Sequence, residues 1–239
     1  MGGTRIHGVR RAVGLLLGTG LAVVGAARAD AQLREVRTRG FGGGGILIAE
    51  PVGEFANFVG THGGFGGAVT FGRNLGLRIG GSLLIYGHQS RPIPLAGTGG
   101  LIALDLSTNN YIASLGLGPQ VTLGEGPLQL YGYGTVGLGY FGTTSSVSGS
   151  YDYEPFASTT NFDNATLALE TGGGLQIRLA NPRRPVFLDL SARYVRNGRV
   201  RYVTESGVRE NPDGSFTLYP IESQANLVVF QIGVSVGLR

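Results

Sequence analysis

Beyond its first 31 residues the chain holds two histidines, His62 and His88, with Ser90 close behind the second. A histidine within reach of a serine hydroxyl can take its proton and release a nucleophile for acyl transfer or lipid deacylation. The plainer reading is a pair of histidines in an interfacial polar zone, and no motif around them favours the enzyme. A second set is polar and scattered: Arg78, Gln120, Glu170, Gln176, Arg178, Asp189, Arg193 and Gln231. Three arginines against two acids can form a charge-paired plug, or a charged wall that tunes an ion path. No cysteine is present, and no zinc spacing, Walker loop or EF-hand occurs, so no metal site and no cofactor is expected. Gly40–Gly45 is glycine-rich but lacks the strand-to-helix context of a phosphate loop.

These groups must be held by strands. In the last segment Val228, Phe230, Ile232, Val234, Val236 and Leu238 alternate with Val229, Gln231, Gly233, Ser235 and Gly237. Val186, Leu188, Leu190, Ala192 and Tyr194 alternate likewise with Asp189, Ser191 and Arg193. Side chains of a strand point to opposite faces with period two, so each run has one apolar face. Val186–Arg239 therefore reads as one long hairpin, turning at Asn211–Gly214, with Val186 opposite Leu238.

Taken in order, Met1–Ala31 has the parts of a secretory signal peptide: Arg5, Arg10 and Arg11, an apolar stretch over Ala12–Ala27, and a small-residue cleavage site at Ala29–Ala31. Removing it matters for charge. Of 19 basic and 15 acidic residues the first 31 hold four and one, leaving 15 and 14. That balance is no footprint for nucleic acid. Residues 32–41 are charged and aperiodic, a periplasmic lead-in, and a barrel domain is expected over 42–239.

Strands are expected over Gly42–Glu50, where Ile46, Leu47 and Ile48 are consecutive rather than alternating, then Phe65–Phe71, Leu75–Ile85, Tyr111–Leu123, Leu128–Phe141 and Leu167–Leu179. With the last two they make eight antiparallel strands. Connections near Arg73, Glu125 and Arg183 are short; those near Gly53, Ala96, Ser150 and Asn211 are long, with loops over 89–108 and 142–161. Phe71 is expected opposite Leu75, Leu123 opposite Leu128 and Leu179 opposite Val186, which sets Gln176 across from Asp189 and Glu170 diagonal to Arg193.

The alternation of short and long connections predicts an all-β, up-and-down transmembrane barrel with tight periplasmic turns and longer outer loops. After export no helical span remains, so closure is what satisfies the backbone in lipid. The apolar face, including Leu190, Phe230, Ile232, Val234 and Val236, is then lipid-facing, because the other face carries arginines and acids unsuited to a dry core. Tyr111, Tyr140 and Tyr194 fall at the long-loop end as an aromatic girdle. Glycines, 44 of 239 residues, make room for bulky lumen groups such as Arg78 between Gly76 and Gly80.

On this pattern, on PVGEF (Pro51–Phe55) before GGFGG (Gly63–Gly67), and on ARYVRNGRVRY with NPDGS, the chain resembles the small eight-stranded outer-membrane barrels of the OmpA and OmpX type. It departs from them in ending at Arg239 where that class usually ends in Phe, and in carrying no peptidoglycan-binding domain after the last strand. The resemblance implies a bacterial outer-membrane location, outer-membrane lipids and the barrel-assembly machinery as partners, and an outside partner for the loops. The expectation is a non-enzymatic barrel with a plugged lumen. A narrow channel for ions or small solutes is the alternative, and a lipid-modifying enzyme the third reading.

Overall fold

The computed structural model describes residues 39–94, 103–124, 126–149, 157–180, 185–202, 208–210 and 216–238. The signal-peptide segment and the Asn211–Gly214 turn lie outside the described residues. Strands β1 (Gly40–Val52), β2 (His62–Phe71), β3 (Leu75–Pro94), β4 (Ala103–Leu123), β5 (Leu128–Gly149), β6 (Ala157–Ala180), β7 (Val186–Asn197) and β12 (Asn226–Leu238) form one closed barrel. Around it the order is β1-β12-β7-β6-β5-β4-β3-β2, and every pair is antiparallel. Four short strands, β8 (Arg199–Tyr202), β9 (Val208–Glu210), β10 (Phe216–Leu218) and β11 (Ile221–Gln224), lie between β7 and β12 in the chain.

Registers differ from expectation in an instructive way. Phe71 pairs with Leu77, Leu123 with Leu130, and Val186 with Val236. Each is displaced by two residues; in the first two the inner turns are wider, with Gly72 (φ 116°) and Gly124 (φ 94°) opening them in the left-handed region, and in the third the β8–β11 ladder replaces the simple hairpin. A shift of two keeps every side chain on its face, whereas a shift of one would have inverted the barrel. Gln176 does pair with Asp189, and a bulge between Arg178 and Ala180 sets Val186 opposite Ala180 instead of Leu179.

Three further boundaries are corrected. β1 begins at Gly40, so Phe41 is not lead-in; it is 5% exposed and meets the Phe187 ring edge-on at 5.7 Å. Much of the two expected loops is strand, since β3 and β4 stay paired to Pro94 and Ala103, and β5 and β6 to Val147 and Ala157. The segment after Val186 is also not one hairpin. It breaks into β7–β12, β8–β11 and β9–β10 ladders, with Gly198 and Ala225 at the first break.

The outer wall is apolar around the circumference: Ile46 is 72% exposed, Leu115 65% and Ile232 62%. Phe230, Val234, Leu190 and Val236 lie on the same wall, alternating with Gln231, Ser235 and Asp189, which are buried inside. Leaving such a belt in water would be costly at about 25 cal/mol per Å²; hydrocarbon is its natural solvent. Val234→Arg should therefore destabilise the barrel by about 2–4 kcal/mol in lipid vesicles, read from urea unfolding. Ser235→Ala, on the inner face, loses only its bond from Gln176 Nε2 (3.0 Å) and should cost about 1 kcal/mol. Equal effects at both positions would overturn the facing.

Candidate functional site in the lumen and outer mouth

From the short-turn end upward, the lumen is filled in three layers. At the floor Phe41 and Phe187 pack together, and the Arg178 guanidinium lies 5.5 Å from the Phe187 ring centre. Above them is a polar layer. Arg78 donates to Gln120 Oε1 at 2.9 Å and stacks 4.1 Å from the Tyr133 ring centre. Gln120 also accepts from Thr70 and donates to Thr122, which ties β2 to β4 through the lumen. Tyr131 donates to Asp189 Oδ1 at 2.6 Å, and Gln176 Nε2 donates to Asp189 Oδ2 at 3.3 Å.

Arg193 meets Glu170 at 3.7 Å, an ion pair beyond hydrogen-bond length, and reaches Gln231 Oε1 at 3.5 Å. That pair is the diagonal one expected from register. Asp189, by contrast, takes its bonds from Tyr131 and Gln176 and from no arginine among the described residues, and Arg78 is held by an amide and two rings. Among the described residues the expected arginine–acid pairing in the lumen is thus corrected to one pair, Arg193 with Glu170. Glycines make this packing possible: a Cβ on Gly172 would lie 2.6 Å from Arg193 Cβ, and one on Gly174 2.6 Å from the Tyr131 hydroxyl.

The third layer closes the long-connection end, and sequence reasoning missed it. The one-turn 3-10 helix Phe55–Asn57 drops Phe55, fully buried, into the mouth. Its ring meets Tyr202 at 5.1 Å, Tyr86 at 6.0 Å and Phe141 at 6.4 Å, all edge-on. Such geometry sets ring edges against ring faces and adds to the area buried. Leu47, Leu84, Ile112, Val195, Leu227 and Val229 line the same layer from the barrel strands, and Val200 from β8 covers it. Glu54 locks the cover: its carboxylate accepts from the Gln224 amide at 3.1 Å and sits 3.9 Å from Arg199, which also bonds Glu222 at 3.2 Å. The layer is level with the upper lipid-facing groups Ile48 and Ile85, since Leu47 and Leu84 both register with Gly64. Burial pushes the phenol of Tyr202, on β8 outside the barrel, above its ordinary value.

The two histidines do not come together. His62 faces inward, 9% exposed, with Nδ1 3.0 Å from Gly60 O and its ring 6.2 Å from Tyr86. The β3 bulge between Ile85 and Gly87 turns His88 to the opposite face, where Nδ1 lies 2.7 Å from Asn109 Oδ1. Ser90 is exposed on β3. The girdle tyrosines stand on the outer wall: Tyr111 and Tyr140 are 6.1 Å apart, and Tyr194 is 38% exposed on β7.

A closed eight-stranded antiparallel ladder, an unbroken apolar outer belt and a side-chain-filled interior define a small β-barrel of the outer-membrane class. No family model matches the chain, and no curated protein sequence does. Among solved structures it is similar to Ail, the attachment invasion locus protein of Yersinia pestis, at 16% identity and TM-score 0.41, covering 84% of this chain and 99% of that one. It is also similar to Neisserial surface protein A (12% identity, TM-score 0.39, 84% and 97% covered). A major outer membrane protein of Thermus thermophilus is a third (14% identity, TM-score 0.39, 82% and 98% covered). Ail has also been solved with the heparin analogue sucrose octasulfate.

Proposed function

We propose that the protein is a non-enzymatic, non-conducting barrel of the bacterial outer membrane that holds a binding platform outside the cell. The observation that carries this reading is the length of β3–β6. Pairing of β2 with β3 stops at Gly63–Ile85, and pairing of β6 with β7 at Ala168–Asn197. Above those points β3, β4, β5 and β6 still pair with one another, a four-stranded sheet standing clear of the belt.

Its sequence is neutral and hydroxyl-rich: Ser107 to Asn110, Thr143 to Ser146 and Ser158 to Asn161. Thr143 donates to Asn110 across β4 and β5 at 2.7 Å. Backbone groups on the outer edges of β3 and β6 are paired by no barrel strand among the described residues, which suits recognition of an extended polypeptide. Residues 50–62, 87–110, 142–164 and 196–225 together carry ten acids against five arginines, so a sulfated polysaccharide is a poor fit.

The test is a barrel shortened by deleting residues 88–109 and 143–162. It should still migrate faster unboiled than boiled, as closed barrels do. Vesicles carrying it should lose retention on immobilised extracellular proteins, while full-length vesicles bind them and ignore heparin. Retention unchanged by the deletion would overturn the platform. A sustained single-channel current through the full-length protein would favour the narrow channel instead.

A further inference from the structure

We propose that His62 is an acid-sensitive latch on the outer mouth, neutral in the closed aromatic layer and driving that layer open when it takes a proton. The imidazole sits where a charge is poorly matched, because the acid that acts on it, Glu50, is exposed and engaged by Thr61. Nδ1 faces Gly60 O, the ring packs edge-on at 6.5 Å from Phe55, and Nε2 is buried with no hydrogen-bond partner. The Tyr86 hydroxyl, on a ring 6.2 Å away, is likewise buried without a partner. A phenol can accept one bond from a protonated Nε2 but cannot neutralise it, and an uncompensated buried charge is costly.

The groups facing the layer from each packed element are Glu50 on β1, Glu54 ahead of the one-turn helix, Tyr86 on β3, and Arg199 and Tyr202 on β8. Glu50 is exposed and takes the Thr61 hydroxyl, and Glu54 is engaged by Arg199 and the Gln224 amide.

The sign follows from proton counting. The closed form holds fewer protons on His62 than an open form in which the ring meets water. Closure is therefore at full weight above the ordinary histidine value of about 6.5 and weakens as pH falls below it. Opening unwinds the short connection that holds Phe55 and Val59, which lies between β1 and β2 outside the barrel strands, so its internal turn is lost as the ring leaves the mouth.

The Val59 amide, which donates to Phe55 O at 3.1 Å, reports closure by hydrogen exchange in the full-length barrel reconstituted in lipid. Corrected for intrinsic rates, its opening constant should rise up to about 30-fold between about pH 7.5 and about pH 5 in the wild type. The Gly72 amide at the inner end, bonded to Arg39 O at 2.8 Å, should not respond. His62→Phe should be flat across the range, and His62→Gln gives the same reading should the larger ring disturb packing. Glu50→Gln should keep the rise. A flat wild type, a rise that survives in both His62 variants, or its loss in Glu50→Gln would overturn the latch.

Discussion

Phe55→Ala should lower the unfolding free energy of the barrel by about 3–5 kcal/mol, the range for removing a fully buried aromatic side chain. The expectation is at the upper end of what a loop residue normally carries, because this ring is the centre of the outer layer. Tyr202, Tyr86 and Phe141 each present a face or edge to it, and a space left at that point is shared by three strands. Urea unfolding in lipid measures the loss. A change below about 1 kcal/mol would mean that the cover contributes little to closure.

Glu170→Ala should be comparably damaging, by about 3–5 kcal/mol, because it leaves the Arg193 guanidinium buried without its acid. Both side chains are largely shielded, at 7% and 15% exposure, so water cannot substitute freely. A wet channel would screen the pair and reduce the cost below about 1 kcal/mol. The layered lumen adds a conductance expectation. Each single substitution opens one of the three layers and leaves the other two closed, so current should stay small in both. The Phe55→Ala, Glu170→Ala double variant still keeps the Phe41–Phe187 floor, so current should rise only when Phe187→Ala is added to it, with selectivity altered by the missing acid. Current in the Glu170 variant alone, with stability retained, would sink the plug.

Much of this was legible in the sequence, for physical reasons that can be named. Period-two alternation in β12 and β7 survives a register shift of two, so wall and lumen were separated although pairing partners were not. The Glu170–Arg193 approach followed from strand geometry alone. Asp189 was harder, since Tyr131 reaches it from β5, and cross-lumen contacts leave no trace in neighbouring strands. The outer layer had a signal that was seen but not interpreted. Ile46-Leu47-Ile48 breaks alternation because Leu47 faces inward among apolar groups, and the same holds for Leu83-Leu84-Ile85 and Val228-Val229-Phe230. An apolar run without alternation marks a strand buried on both faces. The upper sheet gave no signal, because its Ser/Thr/Asn runs are polar on both faces and so lack a hydrophobic period.

The pairing of β1 with β12 governs how the molecule can be made. Gly40 lies opposite Leu238, so the ladder that seals the wall joins the first and last strands of the chain. Until the final strand is complete, β1 keeps an open edge of greasy, glycine-rich backbone, the kind of edge that recruits other chains. Local hairpins such as β3–β4 and β5–β6 can form early, since their strands are neighbours in sequence. The seam cannot, because its loop-closure entropy spans nearly the whole barrel. Zipping that seam is therefore the slow, committing event of biogenesis, and the unsealed intermediate is what the cell must shelter from aggregation.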